Sequence, residues 1–275
     1  MRLTNKIVLA LNVYLDALGE LPEEVREVIE HVDLAAKNSR FVDVIVCYVV
    51  DKGQEDKIRS MISELRTNVD FILTLGQSQK LPMIGDILNT ANQVCNDNDY
   101  VCYINSDIIV QYWFFDFLAS SIRTHSKNTG FIINRKDILS PNFSFNEDTG
   151  YLDMVYHPGF DCFIFPKHIL STSYFGRCTV GFPPIGALLA TNMLVNLVDV
   201  KLINESVVTL HRGDGREGHW QHKRKEIEKN FQFAFEGIDE LIKHMKNKGL
   251  NQIKTLSFSG NFIKKYMISR GLNFQ

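Results

Sequence analysis

No pair of cysteines in this chain has the C-x-x-C spacing typical of metal-binding or redox sites. The five cysteines are scattered, and most lie inside or beside apolar runs. A thiol in such a run behaves as a small buried hydrophobic group. An odd, scattered set argues against a disulfide framework and favours a reducing compartment. We therefore expect a cytoplasmic protein.

The chain also lacks a long apolar run and an excess of basic residues. It contains no stretch of about 18 or more apolar residues, so no membrane span is predicted. The early run "KIVLALNVY" is interrupted by Asn12 and has no A-x-A-like cleavage site after it, which favours a β-strand over a signal peptide. The formal net charge of -2 argues against nucleic acid as a partner.

Short apolar runs alternate with helical patterns up to residue 110. The runs "KIVLALNVY", "FVDVIVCYVV", "VDFILTLG" and "YVCYINSDIIV" are predicted strands. Between the first two, Val25, Val28, Ile29 and Val32 recur at helical spacing. This order predicts an α/β fold with a mainly parallel, Rossmann-like sheet and helices on both faces.

The alternation becomes less regular after residue 110. "GFIINRKDIL" is predicted as a strand, "GFDCFIFPKHIL" as a short strand before Pro166, and "EIEKNFQFAFEGIDELIKHMKNKG" as a long helix ending at Gly249. We find no internal repeat and no low-complexity linker. The sequence therefore predicts one compact domain built from two halves, residues 1–110 and residues 111–275, with a helical C-terminal segment.

Two acidic clusters flank the strand "YVCYI". Asp97 and Asp99 precede it, whereas Asp107 follows it in "YINSDII". Ligands of open parallel sheets bind outside the carboxyl ends of the strands, so Asp107 lies at the ligand edge. The earlier pair is predicted to form a solvated turn. Oxygen ligands such as Asp107 suit Mg²⁺ or Mn²⁺, which often take only one or two carboxylates plus substrate phosphate.

At this motif the chain resembles nucleotide-sugar-dependent glycosyltransferases of the A-type (GT-A) fold. The resemblance covers roughly the first 220 residues as an order of elements. In that family the last Asp of the motif binds a divalent cation at the donor diphosphate, and a later His often completes the site. The resemblance thus assigns Mn²⁺ or Mg²⁺ to Asp107 and to His211, which ends the apolar run "SVVTL". Asn105 stands where many members have Asp, and it is assigned to nucleotide-sugar binding.

Three further stretches fit the same family. "ALNVY" suggests that Asn12 and Tyr14 contact the nucleotide, and "QKLPMIGDIL" suggests that Lys80 meets a phosphate or the base. "HPGFDCFIFPK" is similar to the acceptor-side segment of the family, so Asp161 is the candidate general base. The alternative for Asp161 is pairing with a buried cation or capping a backbone turn. "VGFPPIGALLATNML" contains no acidic residue where many relatives have one.

The segment "LHRGDGREGHWQH" holds three histidines and several cations. Its spacing fits no common structural zinc pattern. Arg216 has a glycine near it on each side that allows the loop to close, so we assign it to the donor diphosphate, although a charged helix start is the ordinary interpretation of such a run.

The resemblance implies a glycosyltransferase that moves a sugar from a nucleoside diphosphate sugar to a glycan or other hydroxyl acceptor. One alternative is a nucleotidyltransferase that makes nucleotide sugars, but "LALNVYLDALGE" has no Gly-rich loop after the first strand. The other is an inactive nucleotide-sugar-binding relative, in which Asn105 marks a lost metal site.

Overall fold

A mostly parallel β-sheet runs through the computed structural model of the protein. The structure describes residues 3–75, 81–138, 154–157, 159–204, 207–212 and 223–249, together with 252–253, 265, 268–269 and 273–274. The strands are β1 (Ile7–Asn12), β2 (Val44–Val50), β3 (Phe71–Thr74), β4 (Tyr100–Ile104), β5 (Ile109–Val110), β6 (Thr129–Ile133), β7 (Lys136–Ile138), β8 (Met154–Tyr156), β9 (Cys162–Pro166), β10 (Asp199–Ile203), β11 (Thr209–Arg212), β12 (Gln252–Ile253) and β13 (Asn273–Phe274). The helices are α1 (Glu23–Asn38), α2 (Glu55–Glu64), α3 (Ile84–Ala91), α4 (Phe114–Thr124), α5 (Ile185–Asn196) and α6 (Arg224–Asn247).

One reversed strand determines which side chains meet at the end of the sheet. The main sheet has the order β10-β6-β9-β4-β1-β2-β3, and a second sheet has the order β5-β11-β7-β8. In the main sheet β9 is antiparallel to both of its neighbours, β4 and β6, while the other pairs are parallel. Cys162, the first residue of β9, therefore pairs with Ile104 and Ile133, the last residues of β4 and β6. The start of β9 consequently lies where the parallel strands end.

The pattern of β1 shows how both faces of the sheet are covered. Ile7, Leu9 and Leu11 pack with α1 and α4 on one face, whereas Val8 and Ala10 pack with α3, α5 and α6 on the other. Successive side chains of a strand point to opposite faces, so a strand covered on both sides is apolar throughout. The predicted α/β fold, with a mainly parallel sheet, helices on both faces and a C-terminal helix, is confirmed.

Two predicted strands are each divided between the two sheets, and one strand was not predicted. In "YVCYINSDIIV", β4 ends at Ile104 in the main sheet, whereas β5 lies in the second sheet. "GFIINRKDIL" is not one strand but two, because β6 ends at Ile133 in the main sheet and β7 begins at Lys136 in the second sheet. Asn134 N still bonds to the Ile203 carbonyl, so the chain leaves the main sheet just after that residue. The strand β10, which forms the edge beside β6, was not predicted, because the five residues of "DVKLI" include only three apolar ones.

The cysteines confirm the expectation of buried thiols. All five are free, and Cys47, Cys102, Cys162 and Cys178 are buried. Burial raises the pKa of the Cys47 thiol to about 12, so it stays protonated and unreactive near neutral pH. Among the described residues, no helix is both long enough and apolar enough to cross a membrane.

The acidic residues before β4 lie at the opposite edge of the sheet from Asp107, as expected. Asp97 is exposed and lies 3.0 Å from Lys167 Nζ. The prediction of a solvated turn is wrong for Asp99, which is only 3% exposed. Its two carboxylate oxygens accept hydrogen bonds from the backbone N–H groups of Lys6 (2.9 Å) and Asn96 (2.8 Å). Asp99 therefore ties the entry of β1 to the turn before β4.

We expect Asp99→Ala to lower the free energy of unfolding by about 1–3 kcal/mol, because two partly buried hydrogen bonds between a buried carboxylate and backbone N–H groups are lost. Asp97→Ala should change it by less than about 0.5 kcal/mol, since an exposed ion pair contributes little. Urea denaturation of the two variants measures this difference. Equal stability of the two variants would show that Asp99 does not hold these strands together.

Candidate active site

Charged side chains converge where β4 ends, β9 begins and the second sheet meets the first. Asp107 follows β4, Asp161 immediately precedes β9, and β7 places Asp137 beside His211 of β11 in parallel register. The site is therefore built from strand ends that are far apart in sequence. This is the edge at which ligands of parallel sheets bind.

Asp107 and His211 form the part of the site that suits a divalent cation. Asp107 Oδ2 lies 3.6 Å from His211 Nε2, and His211 Nδ1 lies 3.1 Å from Asp137 Oδ1. A carboxylate on one ring nitrogen orients the imidazole and leaves the other nitrogen directed at the ligand side. Asp107 Oδ1 is buried and has no hydrogen-bond partner among the described residues. An unpartnered buried carboxylate oxygen is costly, and a bound cation would satisfy it.

The described residues alone do not enclose a metal ion. In the part of the chain that the structure describes, no group of three or more His, Cys, Asp or Glu side chains is arranged to hold one. Mg²⁺ commonly takes one or two protein ligands and completes its coordination with water and substrate phosphates. Asp107 and His211 fit this incomplete kind of site, in which the ion and a phosphate ligand bind together.

The protonation of this pair is set by competition between burial and hydrogen bonds. Burial lowers the pKa of His211, but its bonds to Asp107 and Asp137 outweigh this effect and leave the pKa raised above 6.5. Burial acts in the opposite direction on Asp107, yet His211 and Arg135 hold the pKa of this carboxyl below its usual value. Asp107 is therefore ionised at neutral pH, as a metal ligand must be.

Arg135 connects the two halves of the site. Its Nε lies 2.9 Å from Asp137 Oδ1, and its Nη1 lies 2.9 Å from Asp161 Oδ2. The side chain is only 13% exposed, so it is the buried cation that the alternative interpretation of Asp161 requires. Pairing with Arg135 does not test a role as base, and that role stays a prediction.

Asp161 is also held by Asn105. Asn105 Nδ2 donates to Asp161 Oδ1 at 2.7 Å, and the hydroxyl of Tyr103 donates to Asn105 Oδ1 at 3.0 Å. Asp161 is 8% exposed. Burial raises the pKa of the Asp161 carboxyl. The charge of Arg135 lowers it by less, so the pKa stays above its usual value. A carboxylate with a raised pKa is a stronger base than an ordinary aspartate.

The other predicted nucleotide contacts are less well placed or lie outside the described residues. Asn12 ends β1 and is nearly buried, with Nδ2 donating to the Val49 carbonyl at 3.0 Å. Tyr14 is partly buried against the core on the α1 side of the sheet. Lys80 and Arg216 lie outside the residues that the structure describes. Arg212, the described cation just before that loop, forms an ion pair with Glu27 of α1.

Three charged residues of this edge were not predicted from the sequence: Arg135, Asp137 and Asp51. The first two follow the apolar run "GFII", so the rule that identified Asp107 also applies to them. They were missed because that run was extended through them as one strand. Asp51 follows β2 in the same way, and its Oδ1 is buried with no partner in the described part of the chain. Burial raises the pKa of this carboxyl. Asp51 thus places a further carboxylate at this edge of the sheet.

Solved structures provide the comparison for this architecture. S. aureus TarS 1-349 in complex with UDP matches with a TM-score of 0.51 at 13% identity, covering 75% of this chain and 60% of that one. Glucosyl-3-phosphoglycerate synthase from Mycobacterium tuberculosis, in complex with Mn²⁺, UDP-glucose and phosphoglyceric acid, matches with a TM-score of 0.50 at 14% identity, covering 80% and 77%. The chain has a GT-A-like fold.

The likeness extends to the fold and no further at these identities. The match spans 36% of the longer S. aureus TarS structure, so most of that chain has no counterpart here. No protein-family model matches the chain, and no curated protein matches it.

We expect the His211 imidazole to titrate above pH 6.5, because the carboxylates of Asp107 and Asp137 stabilise its charged form. Asp137→Asn should lower this pKa, since the neutral amide cannot stabilise the positive charge of the protonated imidazole. Proton–nitrogen NMR of the imidazole measures both values, with Asp199→Asn as a control at a distant carboxylate. A pKa of His211 that Asp137→Asn leaves unmoved would contradict the proposed coupling.

Proposed function

We propose that the protein is a glycosyltransferase that moves a sugar from a nucleoside diphosphate sugar to an acceptor hydroxyl, with Mn²⁺ or Mg²⁺ on the diphosphate. One observation carries this proposal. Two residues that could bind a cation, Asp107 and His211, lie at the same edge of a GT-A-like sheet as the buried carboxylate of Asp161. Sugar transfer from a diphosphate requires stabilisation of a leaving group and activation of a hydroxyl, and this edge offers residues for both.

The donor side uses Asp107 and His211 to hold the cation. When bound, the cation acts as a Lewis acid that stabilises the charge of the departing diphosphate. Asp137 keeps the imidazole oriented through Nδ1. We propose that the nucleotide sugar is contacted by Asn12, Tyr14, Lys80, Asn105 and Arg216.

The acceptor side uses Asp161 as general base. The acceptor hydroxyl gives its proton to Asp161, its oxygen bonds to the anomeric carbon, and the bond from that carbon to the diphosphate oxygen breaks. Arg135 and Asn105 each hold one oxygen of Asp161, which fixes the carboxylate while leaving further lone pairs for the proton. A single displacement of this kind inverts the anomeric configuration.

Two other functions remain alternatives, and product analysis separates them. A nucleotidyltransferase needs a loop that cradles a triphosphate after the first strand. Here that turn is short and closed on itself, because Asp16 Oδ1 accepts from the N–H groups of Leu18 and Glu20. Pyrophosphate release from a nucleoside triphosphate would support that alternative, and nucleotide binding without any turnover would support an inactive relative.

We further propose that residues 1–110 supply most donor contacts, that residues 111–275 supply the acceptor side, and that the protein acts in the cytoplasm. The free thiols support a reducing compartment. His211 belongs to the second half and Asp107 to the first, so the cation would join the two.

We expect Asp107→Ala to abolish the Mn²⁺-dependent stabilisation by nucleoside diphosphates, because His211 alone cannot hold the ion. A ligand at a hundred times its dissociation constant stabilises the native state by roughly 2.7 kcal/mol, which a thermal-shift panel of ADP, CDP, GDP and UDP detects. Asp97→Ala is the control, since it removes an exposed carboxylate at the opposite edge. If Asp97→Ala loses the effect and Asp107→Ala keeps it, the site is misplaced.

We expect Asp161→Asn to lower turnover by about two to four orders of magnitude while donor binding is kept, because the amide nearly preserves shape but accepts no proton. Steady-state rates, with nucleotide binding and thermal stability measured alongside, test this. Normal turnover, an unfolded variant or a product with retained anomeric configuration would each refute the assignment of Asp161 as base.

A further inference from the structure

A glycine at the start of α5 lies against the segment that carries Asp161. Gly186 is the second residue of α5, and a Cβ atom on it would lie 2.6 Å from the carbonyl oxygen of Phe160 and 3.3 Å from the Cβ atom of Phe160. This oxygen belongs to the backbone and cannot rotate away as the end of a side chain can. The first turn of α5 and the peptide before Asp161 therefore approach this closely only because residue 186 has no side chain.

The rest of α5 holds this turn beside β9. Ile185 and Leu188 are buried in the same cluster as Phe163 of β9. The turn has no side-chain cap and no acidic residue. Because the N-terminal end of a helix carries partial positive charge, it attracts the carbonyl oxygen of Phe160. The helix is thus anchored to the sheet, and Gly186 determines how closely the segment before β9 approaches it.

Asn105 and Arg135 hold Asp161 from other sides. The backbone N–H of Asn105 donates to the Asp161 carbonyl at 3.1 Å, which continues the pairing of β4 with β9. The carboxylate accepts hydrogen bonds from Asn105 Nδ2 at 2.7 Å and from Arg135 Nη1 at 2.9 Å. A distance of 2.7 Å is the short limit of an N–H···O hydrogen bond. A displacement of the Asp161 backbone therefore lengthens at least one of these bonds.

We propose that Gly186 is a positioning residue for Asp161: by admitting the Phe160 carbonyl to the first turn of α5, it places the Asp161 carboxylate between Asn105 and Arg135. This inference rests on the proposed function, in which Asp161 is the base, and adds a residue that acts through it. The competing explanation is that Gly186 only permits close packing between α5 and the sheet. That explanation predicts a loss of stability without any change at the carboxylate.

The first test measures the pKa of the Asp161 carboxyl by carbon NMR of the full chain, labelled at the aspartate carboxyl carbons, with Asp161→Asn used to assign the signal. Gly186→Ala requires the Phe160 carbonyl to move by about 0.8 Å, from 2.6 Å to an ordinary contact of 3.4 Å. We expect the pKa of Asp161 to rise by about one unit, because its ionised form loses part of the hydrogen bonding from Asn105 and Arg135.

Gly237→Ala is the matched control. Gly237 is also a helical glycine, in α6, and a Cβ atom on it would lie 2.7 Å from the backbone nitrogen of Gly176. This variant should lower thermal stability comparably but leave the pKa of Asp161 unchanged, because its close contact is with a different segment. The inference is overturned if Gly186→Ala leaves that pKa unchanged or if both variants raise it equally. It is also overturned if Gly186→Ala does not fold, since the contact would then serve the fold as a whole.

Turnover separates a failure of this inference from a failure of the proposed function. With Mn²⁺ and water as acceptor, release of nucleoside diphosphate from UDP-glucose, ADP-glucose or GDP-mannose should fall about tenfold to a hundredfold in Gly186→Ala, because the base is displaced from its proton. The Mn²⁺-dependent stabilisation by nucleoside diphosphates should be kept. If the unmodified protein releases none, the proposed function fails, while the pKa of Asp161 in the two glycine variants still decides whether Gly186 positions this carboxylate.

Discussion

The ion pair between Arg135 and Asp161 is the interaction on which the site depends. Arg135 divides its guanidinium between Asp161 and Asp137, so one buried cation serves two carboxylates. Asp107 adds a third negative charge, and His211 must be neutral to bind a metal. The edge therefore holds more negative than positive charge, and a divalent cation would offset the difference. Removal of Arg135 would leave Asp161 buried and unpaired, which is far more costly than losing an exposed pair.

The sequence was sufficient to predict which residues lie at the ends of strands. An apolar run that stops at a polar residue indicates where a strand leaves the sheet, and this rule placed Asp107 after β4 and His211 near the end of β11. Burial of β1 on both faces explains why helices could be expected on both sides. These inferences succeed because they need only local pattern and the known direction of parallel strands.

The sequence was insufficient where tertiary contacts decide. Nothing in "NDND" shows that Asp99 accepts from the distant Lys6 backbone while Asp97 stays in solvent. Nor does the run "GFIINRKDIL" show that the chain passes from one sheet to another between Ile133 and Lys136. Both outcomes depend on partners that are far away in sequence, and local propensity does not identify them. The interior position of Asp161 could be noticed, but its partner Arg135 could not.

Asn105 stands where many glycosyltransferases of the resembled family have Asp, and its contacts with Asp161 and Tyr103 explain the difference. An aspartate at that position has no N–H to donate and would bring a second carboxylate to the 2.7 Å contact that Asn105 makes with Asp161. Two carboxylates at such a distance cannot both ionise readily. The amide instead stabilises the ionised form of Asp161 and is held in turn by Tyr103. Asn105 thus supports the carboxylate at Asp161 and leaves Asp107 as the motif's sole carboxylate. In the proposed function, cation binding would therefore rely more heavily on the oxygens of the donor diphosphate.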